Sequence, residues 1–143
     1  MTDPKVQLEL LTRDIADLHT TNELLAKLGE GRPLHVKFGA DPSAPDLHLG
    51  HSVPLRKLRH FQELGHLVII IIGDFTARIG DPSGRSMTRP VLTREQVEAN
   101  TTTYLEQLGR ILDLDACHVR RNSEWFDPMT ATELLALASR QTR

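Results

Sequence analysis

Six consecutive apolar residues, Leu67 to Ile72, fill the space between Gly65 and Gly73. A short, mostly β-branched run bounded by glycines is the pattern of a strand covered on both faces within a parallel sheet. It is far too short to span a bilayer. Parallel neighbours cannot be joined by a tight hairpin, so the preceding strand must arrive through a crossover. Leu34 to Gly39 supplies that strand, with Val36 and Phe38 on one face. Between the two, Val53, Leu55, Leu58 and Phe61 recur at helical spacing until Gly65. Pro54 is compatible with this helix because it lies close to the start. Strand, helix and strand within about forty residues make a βαβ unit, for which a right-handed crossover is favoured. The fold class is therefore α/β.

Around this unit the chain reads as helices and one more strand. Leu8, Leu11, Ile15 and Leu18 predict a helix over 6–18, and Thr20 with Glu23 forms a capping pattern for a second, broken by Gly29, Gly31 and Pro33. Residues 1–33 are thus read as N-terminal helices, and 34–143 as the α/β part. Gly73 to Arg89 reads as a glycine-rich polar connection. A long helix follows the Thr93/Gln96 capping box through Val97, Tyr104, Leu105, Leu108 and Ile111. His118 and Val119 predict a short strand, and Thr130 with Glu133 caps a last helix over Leu134 to Ser139.

Charge and cysteine content narrow the function classes. A net charge of -2 over 143 residues lacks the basic excess of a domain gripping RNA along its backbone. Any nucleic-acid contact is local or made by other sequence. Cys117 is the single cysteine, which excludes an internal disulfide and a multi-cysteine metal site and fits a reducing, cytosolic compartment. Asp3, Lys5 and Glu9 among the first leucines are unlike a signal peptide.

The chemistry concentrates where the first strand hands over to the helix. In open α/β sheets ligands bind in the crevice at the C-terminal ends of the strands, and a helix start offers free N–H groups to phosphate. Neither the dinucleotide nor the P-loop glycine fingerprint is present. Instead a loop with two prolines, Ala40 to Asp46, leads into His48-Leu49-Gly50-His51. Two imidazoles can donate to phosphate oxygens, and Gly50 leaves a flat adenine room against backbone. Such histidines also occur as plain surface residues near a helix start, and a metal site lacks a third ligand nearby.

Gly39-Ala40-Asp41-Pro42-Ser43-Ala44-Pro45-Asp46-Leu47-His48-Leu49-Gly50-His51 resembles the signature of class I aminoacyl-tRNA synthetases in the form used by tyrosyl-tRNA synthetases. Gly73 to Arg85, containing Thr76 and Gly80-Asp81-Pro82-Ser83-Gly84, resembles the second block of that family. The similarity continues through Thr88-Arg89-Pro90, the Thr93 helix and Asn122-Ser123-Glu124-Trp125. The resemblance implies a Rossmann-like parallel sheet with flanking helices and a tyrosine–tRNA ligase of the cytoplasm. Its substrates would be ATP, carried with Mg2+, L-tyrosine and tRNA(Tyr), and the full-length enzyme would be a homodimer with no membrane contact. It gives His48 and Ser43 to the ATP phosphates, and Gly39, Gly50 and His51 to the nucleotide pocket, with His48 and His51 as the catalytic pair. Thr76 and Asp81 would meet the α-ammonium group of the amino acid, and Asp41 would face the same cleft.

Two departures accompany the resemblance. Many family members carry a tyrosine four residues before the aspartate of the first block, against the substrate phenol; Lys37 stands here. Either a subgroup reads the phenol differently or that end of the pocket is built elsewhere. The mobile Lys-Met-Ser-Lys-Ser loop that grips pyrophosphate is not in this sequence, whose last lysine is Lys57. The chain is accordingly expected to be an N-terminal fragment with half the active site, weakly active or inactive. The competing readings are an inactive nucleotide-binding or interaction module and another nucleotidylyltransferase with the H-x-G-H motif. The tryptophan-specific relatives rank lower, because they lack Asp41-Pro42-Ser43 at this spacing.

Several residues also have plainer explanations. Asp41-Pro42 and Asp81-Pro82 suit ordinary turns, Asp74 reads as a cap, and Arg56, Lys57 and Arg59 read as a solvated helix face. Trp125 and Phe126 read as core or interface residues.

Overall fold

The computed structural model describes residues 2–43, 49–79 and 92–140. The chain opens with α1 (Pro4–Thr12) and α2 (Thr21–Gly29), followed by β1 (His35–Ala40), α3 (Leu49–Glu63) and β2 (Leu67–Ile72). Then come α4 (Asp74–Ile79), α5 (Arg94–Leu108), β3 (Cys117–Arg121), α6 (Ser123–Phe126) and α7 (Ala131–Ser139). The strands form a parallel sheet in the order β1-β2-β3. Among the described residues no helix is long and apolar enough to cross a membrane.

Local sequence explains most boundaries. Thr93 caps α5 and Thr130 caps α7 through complete capping boxes, with Gln96 and Glu133 reaching back to the cap amides. Thr20 accepts from the Glu23 amide to start α2. Gly65, at φ 85°, ends the turn after α3 in a conformation open mainly to glycine. Pro54 sits in the second turn of α3, where it costs the helix one backbone hydrogen bond.

Helix α1 is shorter than the apolar spacing predicts. Arg13 is extended and Asp14 takes φ 57°, so Ile15 and Leu18 lie beyond the helix end. Lys57 donates to the Arg13 carbonyl at 2.7 Å and fixes that turn from α3. Long-range capping overrides the periodicity here. Likewise α5 stops at Leu108, and Ile111 belongs to the next turn.

The sheet corrects the expectation of a strand covered on both faces. Val68, Ile70 and Ile72 are fully enclosed, whereas Leu67, Ile69 and Ile71 are only half-buried. The cause is placement: α3 gives Leu55 and Leu58, and α5 gives Tyr104 and Leu108, to the same side of β2. Val36, Phe38 and Ala40 of β1 pack on that core, so His35, Lys37 and Gly39 lie on the open face. The segment after Gly73, read as a connection, begins with helix α4; residues 80–89 of it lie outside the described residues.

A second cluster joins the N-terminal helices to the sheet. Leu11, Leu28 and Leu34 pack with Leu8, Leu24, Val36, Phe61 and Leu64. Beside it lies a buried polar chain: His66 Nδ1 accepts from the Leu34 amide at 3.2 Å, and Nε2 faces Gln7 Oε1 at 2.9 Å. With Nδ1 accepting, the ring is neutral and Nε2–H donates. Burial lowers the His66 pKa from its ordinary 6.5. Folding therefore favours the neutral ring. The resulting stability is complete above about pH 6.5 and is lost as pH falls below it. Thermal melting of the chain between neutral and mildly acidic pH should show this loss, and His66→Gln should flatten that part of the profile.

Candidate functional site

Ala40, Ile72 and Arg121 occupy one row of the ladder. The three strands therefore end at the same height, and Asp41, Gly73 and Asn122 leave the sheet side by side. Two further backbone bonds hold these exits together: Gly73 N–H to the Ala40 carbonyl and Asn122 N–H to the Ile72 carbonyl, both 2.9 Å. This is the crevice in which open α/β sheets bind ligands.

The side chains at the exits form one hydrogen-bonded unit. Thr76, in the first turn of α4, donates its hydroxyl to Asp41 Oδ1 at 2.8 Å. Asn122 Nδ2 donates to the same Thr76 oxygen at 3.0 Å, and the Phe75 amide fixes the Asn122 carbonyl oxygen at 2.8 Å. Gly73 makes the arrangement possible. A Cβ there would lie 1.8 Å from Asp41 Oδ1 and 2.6 Å from Thr76 Oγ1. The carboxylate thus lies across a strand exit that has no side chain. Among the described residues the carboxylate is held by the neutral Thr76 hydroxyl, which orients the charge without cancelling it. That suits a small cation with several N–H donors, such as an ammonium group.

Behind this unit, α5 supports the loop that follows β1. Asn100 donates to the Pro42 carbonyl at 3.0 Å, and the Ser43 amide turns back to the Asp41 carbonyl at 2.8 Å. One turn further along α5, the Tyr104 ring meets the His51 imidazole edge-on, 6.3 Å between centroids and 77° between planes. Burial, then the nearby Asp41 charge, pushes the Tyr104 phenol up, so it stays protonated. Asp74 is an anchor: it accepts from the Ser123 amide at 3.0 Å and hydroxyl at 2.7 Å at the start of α6. Burial alone would raise its carboxyl. The Ser123 hydrogen bonds, the Phe75 amide and the Arg121 charge outweigh that and hold it below the usual carboxylate range.

Of the residues singled out from sequence, the structure brings Asp41 and Thr76 together and sets Ser43 in the adjoining turn. Gly50 and His51 lie in the first turn of α3, and Gly50 is exposed. Gly39 has open space where a Cβ would be. Among the described residues nothing fills this gap on the open face of β1. Lys37 sits two residues before that gap, level with Ile69, and is exposed. His48 and Asp81 lie outside the described residues. Asp74 does cap a segment, although that segment is α6, far along the chain.

The family described as tRNA synthetases class I (W and Y) matches residues 29–143. The chain belongs to this family. A tyrosine–tRNA ligase of Oleidesulfovibrio alaskensis is 58% identical over 140 residues, 98% of this chain and 35% of that relative. One of Thermotoga maritima is 55% identical over 139 residues, with 97% and 35% covered. The chain thus spans about a third of the length of these relatives. Among solved structures, the tyrosyl-tRNA synthetase of Archaeoglobus fulgidus complexed with L-tyrosine superposes with a TM-score of 0.77 at 23% identity. That match covers 99% of this chain and 42% of the other. A mitochondrial tyrosyl-tRNA synthetase of Aspergillus nidulans gives 0.75 at 23% identity, covering all of this chain and 44% of that one. These structural likenesses establish a class I synthetase fold, the Rossmann-like sheet with flanking helices.

In this synthetase chain, four contributors to the site escaped the reading of individual residues: Gly73, Asn100, Tyr104 and Asn122. Asn122 had a visible signal, since it directly follows the predicted strand around His118 and Val119. Gly73 was visible only as the end of an apolar run. Asn100 and Tyr104 had no local signal, because their partners are 58 and 53 residues away. Of the basic residues on α3, read as a solvated face, Arg56 is exposed, whereas Lys57 holds the end of α1 and Arg59 pairs with Glu63 at 2.9 Å. Phe126 stacks on Phe75 at 5.0 Å and ties α6 to α4.

Proposed function

We propose that the chain is the N-terminal part of the catalytic domain of a tyrosine–tRNA ligase, residues 1–33 forming helices that brace the sheet and the rest the nucleotide-binding part. The observation that carries the reading is the Asp41–Thr76–Asn122 unit over Gly73, level with three strand exits. It supplies an oriented carboxylate for the α-ammonium group of an amino acid, beside a helix start suited to phosphate. The names of the relatives support tyrosine as that amino acid.

The reaction assigned to the whole enzyme has two steps. The tyrosine carboxylate attacks the α-phosphorus of ATP and pyrophosphate leaves; the tyrosyl group then passes to the 3′ end of tRNA(Tyr). Attack in line needs positioning and charge stabilisation, with no general base. Thr76, Asp81 and Asp41 hold the ammonium end, so the carboxylate points toward the nucleotide. His48 and Ser43 bind ATP phosphates, while Gly39, Gly50 and His51 line the nucleotide pocket. Among the described residues no group of three acidic, histidine or cysteine side chains converges to hold a metal ion. Mg2+ is assigned to the triphosphate as part of the substrate. Lys37, on the open face of β1, is assigned to the side-chain end of the pocket in place of a tyrosine. A cytoplasmic homodimer is proposed for the full-length enzyme.

Tyrosine-dependent exchange of pyrophosphate into ATP tests the assignment on this chain. A slow, tyrosine-dependent rate is expected, reduced about tenfold or more by His48→Ala or Asp81→Ala, roughly the loss of one charged hydrogen bond. ATP binding without exchange for any amino acid would overturn the ligase reading for this chain in favour of a binding module.

A further inference from the structure

We propose that Asn100 and Tyr104, one turn apart on α5, are positioning residues that set the geometry of the Asp41-Pro42-Ser43 turn of the nucleotide loop and of the His51 ring. The inference rests on the nucleotide reading given above for that loop and extends it to a helix with no residue in either sequence block.

Loops after a strand are the least constrained part of an α/β unit, yet phosphate and adenine recognition needs backbone held to a fraction of an ångström. The turn Asp41-Pro42-Ser43 has one internal bond, Ser43 N–H to the Asp41 carbonyl. From outside it is held by Thr76 on the Asp41 carboxylate and, at its backbone, by the Asn100 amide on the Pro42 carbonyl at 3.0 Å. Pro42 itself is fully buried. His51 is restrained by the same helix. Its edge-on contact with Tyr104 falls in the separation and angle range of favourable aromatic pairs.

Helix α5 is itself rigidly seated. Thr101 and Leu108 are 1% and 0% exposed, and Arg121 of β3 grips Glu98 through two hydrogen bonds of 2.5 and 2.7 Å. Residues four apart share a helix face. Asn100 and Tyr104 therefore present one surface, its polar end toward the loop and its ring toward α3. Tyr104 also lies near enough to Asp41 to feel its charge. The wall formed by this face thus stands against both ligand-bearing segments at once.

The test uses the 143-residue chain with 13C-labelled histidine and 15N-labelled backbone, followed by NMR and titrated with ATP. Tyr104→Leu should shift the His51 ring signal by removing the aromatic face beside it, and should weaken ATP binding about tenfold. Tyr104→Phe keeps the ring and should restore both. Asn100→Ala should speed hydrogen exchange of the Ser43 amide and weaken ATP to a similar degree. Wild-type His51 signals and ATP affinity in a folded Tyr104→Leu chain would overturn the proposal. If Tyr104→Leu fails to fold, Asn100→Ala decides alone: unchanged Ser43 exchange overturns the proposal. A wild-type chain that does not bind ATP would defeat the nucleotide reading, while ring signal and amide exchange would still decide the positioning role.

Discussion

Gly73→Ala should leave the chain folded and nearly abolish binding at the strand exits. The methyl group would enter space held by Asp41 Oδ1 at 1.8 Å and Thr76 Oγ1 at 2.6 Å. Both are side-chain ends, so the clash is relieved by rotating the Asp41 carboxylate away rather than by parting the strands. The cost to stability is accordingly small. The cost to function is large, because the carboxylate can no longer accept from Thr76 or point where an ammonium group arrives. Misplacement by about an ångström at such a position costs on the order of a hundredfold. Amino-acid-dependent pyrophosphate exchange and thermal melting on the same variant check both halves. A variant that melts as wild type and exchanges as wild type would show that the glycine is incidental.

Ile70→Ala should be strongly destabilising, and Ile69→Ala much milder. Ile70 is fully buried among Leu55, Leu58, Tyr104 and Leu108. Removing its side chain costs about 2–5 kcal/mol in transfer and cavity terms. Set against a typical total of about 5–15 kcal/mol, this brings the chain close to unfolding. Ile69 faces the half-open side, where water already reaches part of the side chain, and truncation there costs at most about 2 kcal/mol. Denaturant midpoints of the two variants measure the asymmetry directly. Equal losses would mean that the second face is covered as completely as the first.

That asymmetry marks the limit of what β2 disclosed as sequence. Leu67 to Ile72 is apolar at every position, and such a run reads as covered on both faces. Which face is enclosed depends on where α3 and α5 lie, and no local pattern carries that. The capping boxes at Thr93 and Thr130 were fully legible, because each is closed within four residues. The end of α1 was not, since Lys57 determines it from 44 residues away. The site divides in the same way. Asp41 and Thr76 belong to recognisable blocks, whereas the reason they meet, an unoccupied Cβ position at Gly73, is a property of three aligned strands. Helix α4 was hidden by glycine and polar residues that follow it rather than lie within it.

The common level at which β1, β2 and β3 terminate ties the Asp41–Thr76–Asn122 unit to correct strand pairing. A slip of one residue between two strands would displace one exit by about 3.3 Å and turn its side chains to the opposite face. Asp41 would then miss Thr76, and Val68, Ile70 and Ile72 would leave the core together. Mispaired chains therefore lose the Asp41–Thr76–Asn122 unit and the hydrophobic seam in one event. A small ligand that binds at these exits, added during refolding, would accordingly select the native alignment from its competitors and act as a gauge of assembly.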